Sequence, residues 1–217
     1  MKRPLQILSF LLFLLVQLSS YSQELVKDIN TTPATINNPT DGAAQRCFSC
    51  GALVYFAVKD SVGNEFWRTD GTAEGTFRIA DLNPGAGDGI LSLEPVVCMN
   101  GLAYFRDSSW RIVKTDGTAA GTAVVTEHWA IQNTVKVFND KIYFVYNFNE
   151  IWSTSGEPGT EQQVKILNSD GGSQKEIWSV SVGTSVLYFG VVVKNSSGIQ
   201  AYELWMSDGT SEGTELV

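Results

Sequence analysis

Four stretches of this chain are variants of one phrase: EFWRTDGTAEGT (Glu65–Thr76), RIVKTDGTAAGT (Arg111–Thr122), EIWSTSGEPGT (Glu150–Thr160) and ELWMSDGTSEGT (Glu203–Thr214). A repeated phrase constrains architecture before any single residue is interpreted, because each copy marks one structural unit that buries its apolar face against the next. The closing glycines Gly75, Gly121, Gly159 and Gly213 are separated by 46, 38 and 54 residues. Periods of roughly 40 to 50 residues belong to propeller blades and to some helical repeats. Composition decides between them. The segments around each phrase are short, rich in β-branched and aromatic residues, and punctuated by Gly, Asn and Asp, which is the signature of strands and turns.

One unit reads in full. Val96–Met99 is a short apolar run, followed by Asn100-Gly101, a strong hairpin signal. Leu102–Asp107 and Trp110–Thr115 are the second and third strands, the DGT phrase turns the chain, and Thr122–Glu127 is the fourth. The same plan fits the rest. The reading is therefore an all-β protein, a β-propeller of four-stranded antiparallel blades at 46–82, 96–127, 135–166 and 177–217. Each second strand carries Tyr-Phe: Tyr55-Phe56, Tyr104-Phe105, Tyr143-Phe144 and Tyr188-Phe189.

The DGT phrase has a mechanical reading. An Asp side chain accepts hydrogen bonds from backbone amides just after it, and Gly takes positive φ without strain. Asp70, Gly71, Thr72 and Gly75, with Asp116, Gly117, Thr118 and Gly121 and with Asp208, Gly209, Thr210 and Gly213, are read as turn builders. The third copy keeps Gly159 but has Ser155 in place of Asp. A ligand site repeated in every unit would not shed its carboxylate; a turn tolerates the loss. Trp67, Trp152 and Trp205 stand shortly before three of these turns and Val113 before the other, a pattern that suits packing between sheets.

These residues resemble the bacterial repeat family named for its consensus, ELWxxDGT. Glu203–Thr210 matches every fixed position, and Glu65–Thr72 differs only by Phe66 for Leu. The second copy keeps Asp116-Gly117-Thr118 alone, and the third lacks the Asp-Gly-Thr. Asp81-Leu82-Asn83-Pro84-Gly85 is similar to the family's continuation. The resemblance covers nearly all of the chain beyond the leader. It implies a β-propeller type of fold in a secreted or cell-surface bacterial protein, and no reaction.

Residues 1–22 read as a secretory leader, with Lys2 and Arg3 ahead of an apolar run and small polar residues at Ser19, Ser20 and Ser22. No later segment has the length and apolarity of a membrane span. Fifteen Lys and Arg against 23 Asp and Glu give a net charge of −8 without a basic cluster, which argues against nucleic acid as a partner. The expected location is outside the cell or on its outer surface, and the expected partner is an unknown protein or glycan. Glu24-Leu25-Val26 and Glu215-Leu216-Val217 share the phase of a fourth strand. Residues 24–29 are thus an extra outer strand. Either it closes a ring by pairing with Tyr202–Ser207, or the chain is an arc of a larger propeller, the reading preferred here.

No catalytic set is found. His128 is the only histidine, and no nucleophile elbow accompanies it. The expected first strands carry no carboxylate, which disfavours a glycan-active enzyme built around a central channel; a loop-borne site is the alternative. No cofactor is assigned. The loop Asn83–Gly89 offers one or two oxygen ligands to calcium but lacks the alternating carboxylates of an EF-hand loop. Of the three cysteines, Cys47 and Cys50 have CxxC spacing without a predicted helix. In an extended strand they point to opposite faces. A bridge from Cys98 to Cys47 or Cys50, or three buried thiols, is the structural expectation.

Overall fold

The computed structural model describes residues 25–29, 44–60, 63–85, 87–90, 97–168 and 173–217. The leader at 1–22 and Glu24 lie outside the described residues. Strands account for all the regular structure among them, in four meanders. The first sheet is β1 (Ala44–Cys50), β2 (Leu53–Asp60), β3 (Gly63–Thr69) and β4 (Phe77–Ala80). The second is β5 (Val97–Met99), β6 (Leu102–Arg106), β7 (Arg111–Thr115) and β8 (Ala123–Trp129). The third is β9 (Lys136–Phe138), β10 (Lys141–Tyr146), β11 (Glu150–Thr154) and β12 (Gln162–Ile166). The fourth is β13 (Gln174–Val182), β14 (Leu187–Asn195), β15 (Gly198–Ser207) and β16 (Thr214–Leu216). Within each sheet the spatial order is the chain order and every pairing is antiparallel.

The first strands form the inner line of the assembly, with β1 beside β5, β5 beside β9 and β9 beside β13. Four meanders stacked face to face along their first strands are the blades of a β-propeller. Alternation along each second strand explains the stacking. Tyr and Phe of the Tyr-Phe pair point to opposite faces. Tyr104 shares a core with Phe144 of the next blade, and Tyr143 with Phe189. Between the first two blades Phe66 stacks on Phe105 with centroids 3.9 Å apart. The described residues therefore form three apolar cores, one per blade junction. Trp67, Trp152 and Trp205 pack against these cores and Val113 is buried in one.

Strand limits differ from the sequence reading where the backbone departs from regular pleating. The third strand of the second blade starts at Arg111, because Trp110 has φ +69° and cannot pair. The fourth blade's first strand starts at Gln174 and so includes Glu176. The expectation that first strands lack carboxylates is corrected there. Glu176 is spent structurally: it accepts from Trp178 Nε1 at 3.2 Å and pairs with Lys194.

Residues 25–29 form no assigned strand, and Ile29 packs against the first junction's core. The edge of β15 over 205–207 is occupied by β16. The ring-closing alternative's pairing with Tyr202–Ser207 is not formed by residues 25–29, which lie beside the first blade, where Lys27 Nζ donates to the Thr76 carbonyl at 2.7 Å. Cys50 on β1 and Cys98 on β5 are bonded across the first junction, while Cys47 is exposed and free.

Candidate functional site: a strained aromatic platform

The DGT turns use their recurring polar atoms on themselves. Asp70 Oδ1 accepts from the Thr72 amide and hydroxyl at 2.9 and 2.7 Å, and the Thr72 hydroxyl accepts from the Gly75 amide at 2.9 Å. The same three bonds recur around Asp116 and Asp208. These carboxyls are held below the usual range, first by the threonine hydroxyl and then by its amide. Gly71, Gly117 and Gly209 have φ between +91° and +99°. The closing glycine has a different cause. A Cβ on Gly75, Gly121 or Gly213 would stand 2.0–2.2 Å from the aspartate carboxylate of its own turn. In the third copy, where Ser155 replaces the aspartate, Gly159 faces open space and instead takes φ +76°.

The motif's Glu and Trp are also a local pair. Glu203 Oε2 accepts from Trp205 Nε1 at 2.7 Å, and Glu150 Oε2 from Trp152 Nε1 at 3.0 Å. In the first blade the pair is broken. Glu65 is fully buried and its Oε1 accepts from the Gly89 amide at 3.1 Å, which leaves Glu65 Oε2 and Trp67 Nε1 without partners among the described residues. Burial, with a smaller push from Asp81, raises the Glu65 carboxyl to about 7 against the pull of the Gly89 amide. The loop carrying Gly89 spends its carboxylate on the fold, since Asp88 Oδ1 accepts from the Asn64 amide at 2.8 Å. Among the described residues no three His, Cys, Asp or Glu side chains converge to hold an ion.

The rim opposite the DGT turns carries an exposed aromatic surface. In a meander the second-to-third turn lies at the end away from the third-to-fourth turn. Those opposite turns present Trp110 in the second blade and Phe148 in the third. Both are large, both are more than two-fifths exposed (44% and 43%), and both hold φ near +65° to +69°. A bulky residue in that region is rare and costs on the order of 1–3 kcal/mol. Two carbonyl contacts hold the conformation: Ala130 N donates to Trp110 O at 2.8 Å and Ile177 N to Phe148 O at 2.6 Å. Asp107 clamps the first turn by accepting from the Ser109 and Arg111 amides and from the Arg111 guanidinium.

Trp129, at the end of β8, joins the two. Its ring lies 6.0 Å from Trp110 and 6.0 Å from Phe148, edge-on to both, and 5.2 Å from Tyr146. The run continues inward through His128, 4.7 Å from Tyr146 and stacked 4.1 Å from Trp152. Glu161 fixes His128, with Oε1 accepting from ring Nδ1 at 3.0 Å and Oε2 from the Glu127 amide at 3.0 Å. The half-buried His128 is thus part of a packed aromatic ladder across one blade junction. Arg106 lies under the platform, 5.5 Å from the Trp110 ring, and donates to Ala130 O.

The sequence pattern does not single out this platform. Trp110 reads there as part of a strand, and Trp129 as a neighbour of His128. The available signal is a large aromatic set among polar turn residues, as in Asp107-Ser108-Ser109-Trp110 and Asn147-Phe148-Asn149.

No protein-family model and no curated protein matches the sequence. The chain is similar to a number of solved structures, three of which follow. Against the computationally designed Ika4 protein it has 12% identity and a TM-score of 0.43, over 85% of this chain and 98% of that one. Against BamB from Moraxella catarrhalis the values are 9% and 0.40, over 76% and 57%. Against the Bacteroides ovatus xyloglucan PUL GH43B they are 12% and 0.37, over 82% and 41%. The chain spans less than two thirds of the last two. Its own sheet order and first-strand packing carry the architecture.

Proposed function

We propose that this chain is a non-catalytic binding module, exported to the cell surface, whose opposite-rim platform takes a glycan. The observation that supports this is the pair of strained, exposed rings, Trp110 and Phe148, joined through Trp129. An exposed aromatic face accepts the apolar C–H face of a sugar ring, while neighbouring polar groups take its hydroxyls. Asn147 stands in the Phe148 turn, and Arg111 directly follows Trp110. Strain held at an exposed position by two backbone bonds fits a residue kept for contact. Spacing across two blades suits an extended oligosaccharide.

The test is titration of the purified chain with neutral cello-, xylo-, manno- and chitohexaoses, followed by tryptophan fluorescence and calorimetry. One or more sugars are expected to quench the signal. Trp110→Ala and Phe148→Ala are each expected to weaken binding at least tenfold, about 1.4 kcal/mol. Binding that survives both substitutions, or none across the panel, sinks the reading. Reducing ends released from the same sugars would favour the enzyme alternative.

A further inference from the structure

The three blade junctions follow one rule. A turn glycine of each later blade sits over the second strand of the blade before it. A Cβ on Gly209 would stand 2.3 Å from Tyr143 Oη, one on Gly156 2.4 Å from Tyr104 Oη, and one on Gly117 2.6 Å from Leu53 and 3.0 Å from Arg68. Arg68 is the cross-strand partner of Tyr55. Accordingly Tyr55, Tyr104 and Tyr143 are 0–4% exposed.

Both halves of this junction recur uncovered at the two ends of the stack. Tyr188, the fourth copy, is 37% exposed. It shares its face with Leu204 (48%) and Tyr202 (77%), since Gly190 pairs with Leu204 and Val192 with Tyr202 two and four residues along. Gly71, the first blade's turn glycine, is exposed, and no described residue lies within 4 Å of where its Cβ would stand. A third observation marks the first blade as built to receive a preceding one. Lys165, on the outer strand of the third blade, donates to the Thr214 carbonyl of the fourth at 2.9 Å. Lys27 makes the matching bond to Thr76 of the first. The local sequences agree: Val26-Lys27 and Val164-Lys165.

We infer that the uncovered face of β13–β16 docks the first blade of a second copy of this chain, with Tyr188 seated at Gly71. The occupant is argued from continuity with the internal junctions, whose two complementary halves are what this chain exposes. The contact is head-to-tail. Two copies joined at both ends close a ring, and copies joined at one end extend a chain.

Sedimentation of the purified chain across a hundredfold concentration range tests this. The mass is expected to rise above that of one chain. Tyr188→Glu, which spoils one end, and Gly71→Asn, which fills the seat with a residue that tolerates positive φ, are each expected to return it to one chain. Mixing the two variants should restore a two-chain species, because each keeps the end that the other lacks. Circular dichroism checks that each variant is folded, and Leu204→Lys replaces Tyr188→Glu if that variant is not. A monomer at every concentration, association that survives either substitution, or a mixture that stays monomeric would overturn the proposal. Sugar binding at Trp110 reads out separately, so failure here leaves the platform untouched.

Discussion

Tyr143 meets Gly209 across the boundary between the third and fourth blades, its hydroxyl oxygen 2.3 Å from where a Cβ on that glycine would stand. Burial, and then the nearby Asp208, push the tyrosine hydroxyl above its ordinary value. Gly209→Ala therefore meets both a φ of +99° and an occupied space. It is expected to cost about 2–3 kcal/mol, against about 1 kcal/mol for Gly71→Ala, which meets the φ alone. Urea melts measure both, and Tyr143→Phe should recover part of the Gly209→Ala loss. Equal costs at the two glycines would remove the tyrosine from the account.

The closing glycine and the turn aspartate are coupled through one volume. Gly121→Ala is expected to destabilise by expelling the Asp116 carboxylate from the 2.2 Å space it fills. Asp116→Ala loses the bonds to Thr118 and is also expected to destabilise. The double variant should lose less than the two singles added, since without the Asp116 carboxylate a methyl group at 121 has nothing to expel. Strict additivity in denaturant melts would contradict the shared volume.

The Cys50–Cys98 bond closes 48 residues of chain between the first strands of two blades. By loop-closure entropy, replacing both with Ser should cost roughly 4 kcal/mol. Cys47→Ser, on the exposed free thiol, should leave the melting temperature within about a degree, as surface substitutions do. A large effect of Cys47 and a small one of the pair would reassign the bridge.

Glu65 makes stability depend on pH. Its carboxyl is raised to about 7 in the folded chain, against an ordinary value of 4.5. Between those values the folded state holds a proton that the unfolded state has released. Stability then falls as pH rises from about 4.5 through 7 and is lowest above that window, by roughly 3 kcal/mol. Glu65→Gln keeps an acceptor for the Gly89 amide and has no charge to bury. It is expected to be more stable than the parent at about pH 8 and equal to it near pH 4.5. Melts that track in parallel across this range would show that Glu65 ionises without penalty.

The blades are legible in short stretches of sequence. Turn chemistry at Asp70-Gly71 or Asp116-Gly117, alternation through Tyr-Phe, and the Asn100-Gly101 hairpin are local effects, settled within a few residues by φ and by side-chain to amide bonds. They fixed four sheets to within a few residues at most strand ends. The exceptions were ends where the backbone is left-handed, as at Trp110, or where a strand runs past its apolar pattern, as at Gln174. Matters that depend on distant residues were settled by the packing of the blades. It chose Cys50 over Cys47, since the choice rests on which face of β1 meets β5. It turned Glu65 away from Trp67 toward Gly89, because a loop some two dozen residues on supplies the competing donor. It brought Trp110, Trp129 and Phe148 into one platform, because three separate turns and strand ends meet only when blades stack. The same stacking left Tyr188 uncovered while its three counterparts are buried.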